Sequence, residues 1–168
     1  ENNADEFLAD IDLGGIVFLR ARHDADQRIV EQLFEVGIDL LDILHVHVEM
    51  HGRLAAITNY RDPKNIKPNA PSRGHLVSDF LIGTLPPGEY LQQVGDSADR
   101  YNGFNLLVGD ADGLFYFSNR GNAPQKLEPG LYGISNHLLD THWPKTCLGK
   151  QELAQVLAAE QELSPERL

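Results

Sequence analysis

A run of polar side chains, Thr-Asn-Tyr-Arg-Asp-Pro at residues 58–63, directly follows an apolar segment. Loops that leave a buried strand often carry functional groups, because the strand holds them in place. The amide of Asn59 has two N–H donors, which suit the stabilisation of a developing oxyanion. Arg61 can bind a carboxylate through two parallel hydrogen bonds. The run is therefore a candidate site, with an ordinary turn at Asp62-Pro63 as the alternative.

Asparagine recurs at the ends of predicted strands. Each occurrence alone is weak, and turn chemistry is the alternative, since Asn102-Gly103 is a strong turn signal. Taken together, the occurrences predict a polar cleft beside a sheet, in which these side chains bind a substrate. The residues are Asn59, Asn105, Asn119 and Asn136, and Arg120 adjoins them.

Arg73 follows Ser72, which is predicted to be a helix N-cap. A cation at that place opposes the helix dipole, whose N-terminal end prefers negative charge. A bound anion would remove the conflict, since helix N-termini bind anions. Arg73 is therefore a second candidate for substrate binding, with a solvent-exposed arginine as the alternative.

The sequence evidence for a metal site or a reactive thiol is weaker than that for the polar site. His45, His47 and His51 share strand parity, and a His-x-His pair can chelate zinc, but such histidines are more often plain residues of a strand face. Cys147 is the only cysteine, which excludes an intrachain disulfide and a thiolate zinc cluster. A pairing of Cys147 with His142 is left open. We predict no metal and no cofactor.

The elements that must position these residues follow from periodicity. Apolar residues at spacings of three and four predict an amphipathic helix over residues 24–44 and a final helix over 150–163. A further helix is predicted after Ser72, and a short one around residues 90–91. Strands are predicted at residues 15–19, 45–50, 54–57, 104–108, 114–117 and 131–134. The pattern indicates a single α/β domain.

Two connections have clear turn signals. Residues 60–71 contain three prolines and few apolar side chains, so we expect an exposed excursion there. The sequence Gly-Asp-Ala-Asp-Gly at 109–113 predicts a hairpin. It lacks the further ligands and the closing glutamate of a calcium loop.

The composition limits the partners. The chain has 168 residues, 42% of them hydrophobic, and a formal net charge of −11. Such a charge repels phosphate backbones and anionic lipid surfaces, which argues against nucleic acid and membrane-surface partners. No stretch approaches the roughly 18 apolar residues that span a bilayer, and no signal peptide is visible. We expect a cytoplasmic protein that binds a small molecule, with its oligomeric state left open.

Six short motifs follow one another along the chain: Leu-Ala-Ala-Ile-Thr-Asn-Tyr-Arg-Asp-Pro at 54–63, Ala-Pro-Ser-Arg-Gly at 70–74, Tyr-Asn-Gly-Phe-Asn-Leu-Leu at 101–107, Ser-Asn-Arg-Gly at 118–121, Tyr-Gly-Ile-Ser-Asn at 132–136 and Leu-Asp-Thr-His-Trp-Pro-Lys at 139–145. In order and spacing they resemble the NRDE family, also called the transport and Golgi organisation protein 2 family. The name-giving motif has an altered form at residues 3–7, Asn-Ala-Asp-Glu-Phe, with alanine where the family has arginine.

The resemblance implies a fold similar to the N-terminal nucleophile hydrolases, an αββα sandwich. In such enzymes a thiol or hydroxyl at residue one attacks an amide, and the α-amino group acts as the base, since its pKa near 8 suits neutral pH. By analogy, Asp5 would orient the nucleophile and Asn59 would donate to the oxyanion. The residues that would bind the substrate are Arg61, Arg73, Asn105, Asn119, Arg120 and Asn136.

Family members open with a Met-Cys pair on a strand that precedes the NRDE motif, whereas this sequence starts beside that motif. Residues 8–49 also differ from the family's usual segments. We therefore expect residues 1–168 to form one NRDE-type domain that lacks its first strand and its C-terminal strands, with the nucleophile present only in the full-length protein.

The resemblance also leaves non-enzymatic functions open. Family members have been connected with haem trafficking, acyl-lipid metabolism and secretory organisation. A non-catalytic carrier of haem or of an acyl-type molecule is the alternative, with His45, His47 or His51 as haem contacts. A structural interaction protein is a third possibility, which would need an exposed apolar patch.

Overall fold

The computed structural model describes residues 16–21, 30–36, 45–48 and 52–162. Within these ranges the chain forms two antiparallel sheets and three α-helices. The strands are β1 Ile16–Ala21, β2 Val30–Val36, β3 His45–Val48, β4 Leu54–Asn59, β5 Phe104–Asp110, β6 Gly113–Ser118, β7 Gln125–Lys126 and β8 Gly130–Ile134. The helices are α1 Gly74–Ile82, α2 Pro87–Ser97 and α3 Pro144–Glu162.

The larger sheet has the strand order β3-β4-β5-β6-β7, and the smaller sheet has the order β2-β1-β8. Each strand runs antiparallel to its neighbours. In β4 and β5, consecutive apolar residues are buried on both faces of the strand. Side chains alternate between the two faces, so the larger sheet must be covered on both sides.

One face of the larger sheet packs against α1 and α2. Ile57, Phe104 and Phe117 of the sheet share a buried cluster with Phe80 of α1 and Leu91 of α2. The helices bury one apolar face each and leave the other in solvent, as expected for amphipathic helices. The burial of Phe80 and its neighbours confirms the helix predicted after Ser72.

The opposite face packs against the smaller sheet. Leu54, Leu107 and Tyr116 share a second buried cluster with Tyr132 and Ile134 of β8. The layer order is therefore helices, larger sheet, smaller sheet, and α3 contacts β8. A mixed α/β fold is confirmed, while the specific sandwich of the N-terminal nucleophile hydrolases stays a prediction.

The helix predicted over residues 24–44 is wrong for its middle part. Val30–Val36 is a strand that pairs with β1 in antiparallel register, with Ile16 opposite Val36. The backbone N–H and C=O groups of β1 need partners, and pairing with the next strand along the chain outweighs the helical spacing of the apolar residues. Residues 24–29 and 37–44 lie outside the described ranges.

The helix boundaries also differ from the predicted ones. Helix α1 is assigned from Gly74, and Arg73 before it already has helical dihedrals, with φ −73° and ψ −19°. The Ser72 hydroxyl accepts the Gly74 N–H at 3.3 Å, the bond that an N-cap serine makes, which agrees with the predicted capping role of Ser72. Helices α2 and α3 begin earlier than predicted, at Pro87 and Pro144, because proline suits the first turn of a helix. No helix in the described ranges is long and apolar enough to cross a membrane.

The predicted hairpin joins β5 to β6. Asp110 pairs with Gly113 and leaves a two-residue turn between them. The Asp110 Oδ1 atom accepts the N–H of Asp112 at 2.9 Å, which mimics a backbone turn. Gly113 has a φ of 137°, a conformation that side chains with a Cβ atom rarely adopt.

Arg53, which precedes β4, forms hydrogen bonds with the C-terminal end of α1 and the loop after it. Its guanidinium lies 3.9 Å from the ring centroid of Phe80 and donates hydrogen bonds to the carbonyl oxygen of the same residue. It also donates to the Leu85 carbonyl oxygen at 2.8 Å. These carbonyls follow the last helical hydrogen bonds and would otherwise need water as their partner.

Candidate functional site

Most of the predicted site residues lie at one end of the two sheets. Thr58 of β4 pairs with Asn105 of β5, which pairs with Ser118 of β6. Asn59 and Asn119 follow at the same end of the larger sheet, and Asn136 follows β8 of the smaller sheet. The antiparallel register therefore brings together residues that are far apart in sequence.

A backbone bridge ties the two sheets together at this end. The Asn136 Nδ2 atom donates to the Asn59 carbonyl oxygen at 3.1 Å, and the Arg61 N–H donates to the Asn136 carbonyl oxygen at 2.8 Å. The loops after β4 and β8 are thereby held side by side. Functional groups on either loop share a rigid support, which favours a preformed site.

Asn105 lies inside the molecule, on the face of the larger sheet that meets the smaller one. Its Nδ2 atom donates to the Thr58 hydroxyl at 3.0 Å and to the His137 carbonyl oxygen at 2.9 Å. Its Oδ1 atom accepts the Tyr116 hydroxyl at 2.8 Å. Burial raises the pKa of Tyr116, against a smaller opposing effect of the Leu139 N–H bond. The phenol therefore stays protonated and continues to donate.

Asn119 serves the other side of the same sheet end. Its Oδ1 atom accepts the Phe104 N–H at 3.0 Å. Its Nδ2 atom donates to the carbonyl oxygens of Ala98 and Asn102 at 2.9 and 3.2 Å. The amide thus holds the turn that precedes β5, and its hydrogen-bonding groups have partners within the protein.

Arg73 reaches from the start of α1 to the same turn. Its Nη1 atom donates to the Gly103 carbonyl oxygen at 2.8 Å, an oxygen that also accepts the Tyr60 N–H at 3.0 Å. Burial lowers the pKa of Arg73 from its usual value. A Cβ atom on Gly103 would lie 3.0 Å from the Tyr60 carbonyl oxygen, so glycine permits this close approach. An anion partner for Arg73 stays a prediction.

Two arginines border the loop after β4. The Arg120 Nε atom lies 3.1 Å from Oδ2 of Asp62, and Asn65 donates to both oxygens of that carboxylate at 2.9 and 3.0 Å. The guanidinium of Arg61 is exposed, and within the described ranges it has no hydrogen-bond or ionic partner. Arg61 is therefore a cation at this end of the sheets that is available to an anionic group.

The ionisation of Asp62 is expected to persist in mild acid. The Asn65 hydrogen bond, with help from Arg120 and against partial desolvation, holds the pKa of Asp62 below its ordinary value of 3.8. A lowered folded-state pKa contributes stability above the unfolded-state value, and that contribution is lost as the pH falls through the folded-state value. Carboxyl NMR titration should show a midpoint below 3.8 for Asp62. Asn65→Ala should move it upward, and an unchanged midpoint in this variant would contradict the assignment.

Three further polar residues lie beside the bridge: Tyr60 belongs to the predicted polar run but had no role of its own, and His137 and Thr141 were missed. The Tyr60 hydroxyl lies 3.2 Å from Nε2 of His137, whose Nδ1 atom lies 2.8 Å from the Thr141 hydroxyl. Tyr60 directly follows Asn59, and His137 directly follows Asn136. Their position next to the two predicted asparagines was the available signal. Only the tertiary structure pairs them.

Other predicted groups are not brought to this end or lie outside the described ranges. Asp5 and His51 are outside them, as are the side chains of His45 and His47. No group of three metal-ligating side chains occurs among residues that the structure describes. On the loop and first turn of α3, Cys147 Sγ lies 3.8 Å from His142 Nδ1, an exposed contact.

These observations describe an α/β protein with two antiparallel sheets and a polar site where the sheets are tied together. The family model for Transport and Golgi organisation 2 matches residues 46–168, so the chain belongs to that family. The resemblance drawn from the six motifs is confirmed, since NRDE is another name for the same family. Asp5 and the altered motif at residues 3–7 lie outside the matched range.

Three mammalian relatives carry the same name. The Transport and Golgi organization protein 2 homolog of Bos taurus is 40% identical over 127 residues, which cover 72% of this chain and 46% of that protein. The Mus musculus homolog is 43% identical over 110 residues, 62% of this chain and 40% of that protein. The Homo sapiens homolog is 40% identical over 122 residues, which cover 69% of this chain and 44% of that protein. The chain therefore spans less than half the length of these relatives.

Proposed function

We propose that the full-length protein containing this chain is an N-terminal nucleophile-type amidohydrolase or acyl-transfer enzyme. The observation that carries the proposal is the bridge between Asn136 and Asn59. It joins the ends of both sheets and places Asn59 and the exposed cation of Arg61 on one supported loop. Such an arrangement suits a substrate with a carbonyl to polarise and an anionic group to hold.

Each group has a role in this proposal. The Asn59 amide donates to the oxyanion, and Arg61 binds an anionic group of the substrate. Asn136 fixes the position of Asn59 and belongs to the substrate-binding wall. Asp5 orients the nucleophile. Asn105, Asn119, Arg73 and Arg120 hold the loops on which the contacting residues lie, as their hydrogen bonds within the protein indicate.

The proposed reaction has two steps. A thiol or hydroxyl that precedes residue 1 in the full-length protein attacks the amide carbon, and its α-amino group takes the proton. The C–N bond breaks, and the amine leaves with that proton. Water, or an acceptor amine in the transfer reaction, then attacks the acyl-enzyme and releases the acyl group. The Asn59 amide stabilises the oxyanion of both steps.

Labelling of the full-length protein with a β-lactone probe tests this proposal. The strained ester should acylate the nucleophile, and intact mass spectrometry should show one adduct. Asn59→Ala should slow labelling about 100-fold, the usual effect of losing one oxyanion donor. Asn122→Ala is the matched control, because it removes an exposed amide on the connection between β6 and β7. Its labelling rate should equal that of the wild type.

Two results would count against the proposal. Absence of any adduct and of any turnover of N-acyl amides would refute the enzyme. Equal labelling of wild type and Asn59→Ala, with unchanged thermal unfolding, would refute the role of Asn59. Retention of an acyl ligand or haem without covalent labelling would instead support the carrier. No described side chain favours a carrier over the enzyme.

A further inference from the structure

A chain of three polar side chains crosses from the loop after β4 to the loop after β8. The Tyr60 hydroxyl meets Nε2 of His137 at 3.2 Å, and Nδ1 of the same ring meets the Thr141 hydroxyl at 2.8 Å. The Thr141 hydroxyl donates to the Leu138 carbonyl oxygen at 2.6 Å. The three residues are half-buried, so this chain of side chains lies partly exposed to solvent.

The hydrogen bonds determine where the protons lie. A carbonyl oxygen only accepts, so the single hydroxyl proton of Thr141 is committed to Leu138. Nδ1 of His137 must then carry the proton in its bond to Thr141. In the neutral ring Nε2 therefore has a lone pair, which accepts the phenolic proton of Tyr60. The imidazole is oriented as a base toward the tyrosine, in the way a third group orients histidine in catalytic triads.

The surroundings hold this arrangement in place. The ring centroids of Tyr60 and His137 lie 5.1 Å apart, and those of His137 and Trp143 lie 5.8 Å apart. The Asn105 amide donates to the His137 carbonyl oxygen at 2.9 Å. The histidine is thus fixed at its backbone, its ring face and Nδ1, which leaves Nε2 as the reactive atom.

We propose that Tyr60 and His137 form a proton-transfer pair, with Thr141 as a positioning residue that maintains the tautomer. The assignment deepens the proposed function and rests on it for the chemical step. Water that attacks the acyl-enzyme gives a proton to the phenolic oxygen, while the phenolic proton moves to Nε2. The reverse transfer returns a proton to the departing nucleophile. Tyr60 directly follows Asn59 and His137 directly follows Asn136, so the pair lies on the two loops that the bridge holds together.

The reactivity of Tyr60 toward an aryl sulfonyl fluoride tests the pair in the full-length protein. The phenolic oxygen forms a bond to sulfur, the S–F bond breaks with loss of fluoride, and His137 takes the phenolic proton. Tyr101 is the internal control, because it is also half-buried and no histidine in the described ranges bonds to its hydroxyl. Peptide mass spectrometry should show Tyr60 modified about tenfold faster or more, a modest general-base effect.

Three variants test whether Nε2 of His137, and not the packing around it, causes the reactivity of Tyr60. His137→Phe keeps a ring between Tyr60 and Trp143 but removes Nε2, so the rate ratio of Tyr60 to Tyr101 should fall to about one. Tyr60→Phe should lose the adduct at residue 60. In ¹⁵N NMR, His137 should show a protonated Nδ1 in the neutral ring, and Thr141→Val should yield a mixture of tautomers.

Equal modification of Tyr60 and Tyr101, or a ratio unaffected by His137→Phe, would overturn the pair. So would a protonated Nε2 in neutral His137. The sulfonyl fluoride reaction needs neither the upstream nucleophile nor an amide substrate. Fast labelling of Tyr60 in a protein that resists the β-lactone would therefore refute the amide chemistry alone.

Discussion

Replacing Asn105 by leucine is expected to lower the free energy of unfolding by about 3 to 4 kcal/mol. Leucine keeps the branched shape at Cγ, but it has no polar atoms. The Tyr116 hydroxyl would lose its acceptor, and Thr58 and the His137 carbonyl oxygen would lose a donor. Each such buried group left unpaired costs about 1 to 3 kcal/mol. Urea unfolding followed by circular dichroism measures the change.

A double variant tests whether the loss comes from the network. Tyr116→Phe removes the hydroxyl that Asn105→Leu leaves without an acceptor, so the double variant should be about 1 kcal/mol more stable than the sum of the single effects predicts. Asn122→Ala, an exposed amide, should change stability by less than about 0.5 kcal/mol. Strict additivity would show that the Tyr116 to Asn105 bond contributes nothing of its own.

Phe80→Ala is expected to be the most damaging single truncation in α1, at about 3 to 5 kcal/mol. The ring of Phe80 is fully buried, packs against Tyr90 with centroids 5.2 Å apart, and lies under the Arg53 guanidinium. Alanine leaves a cavity between α1, α2 and the larger sheet. It also removes the aromatic surface on which the arginine rests.

Ile82→Ala is the matched control, since Ile82 lies in the same helix and is 80% exposed. Its truncation should alter the free energy of unfolding by less than about 0.5 kcal/mol. Both variants should keep the wild-type dependence of stability on urea concentration, which reports the surface exposed on unfolding. Similar losses for Phe80→Ala and Ile82→Ala would contradict the packing described for α1.

The local elements after residue 52 follow closely from the amino-acid sequence. The apolar residues of 54–57 and 104–108 lie in strands, and the Asp-Ala-Asp-Gly turn is a hairpin. These elements were predictable because turn residues and short apolar runs act locally. The predicted helix over 24–44 was wrong because residues 30–36 pair with β1, and the stabilisation from strand pairing does not show in the spacing of the apolar residues.

The candidate site also has features that the sequence predicts and features that it does not. The residue types and the family follow from the sequence alone, because six motifs in one order are specific even without coordinates. The sharing of one sheet end by Asn59, Asn105 and Asn119 follows from antiparallel register, which hydrophobic alternation constrains. The sequence did not reveal which of these side-chain amides form hydrogen bonds within the protein.

Tertiary structure alone decided that division of roles. Asn105 and Asn119 differ little as residue types, yet they lie on opposite faces of the larger sheet and hold different loops. The pairing of Tyr60 with His137 spans 77 positions of the chain. A hydrogen bond depends on distances of about 3 Å and on direction. Such geometry arises only when two sheets pack, whereas composition and periodicity determine the local elements beforehand.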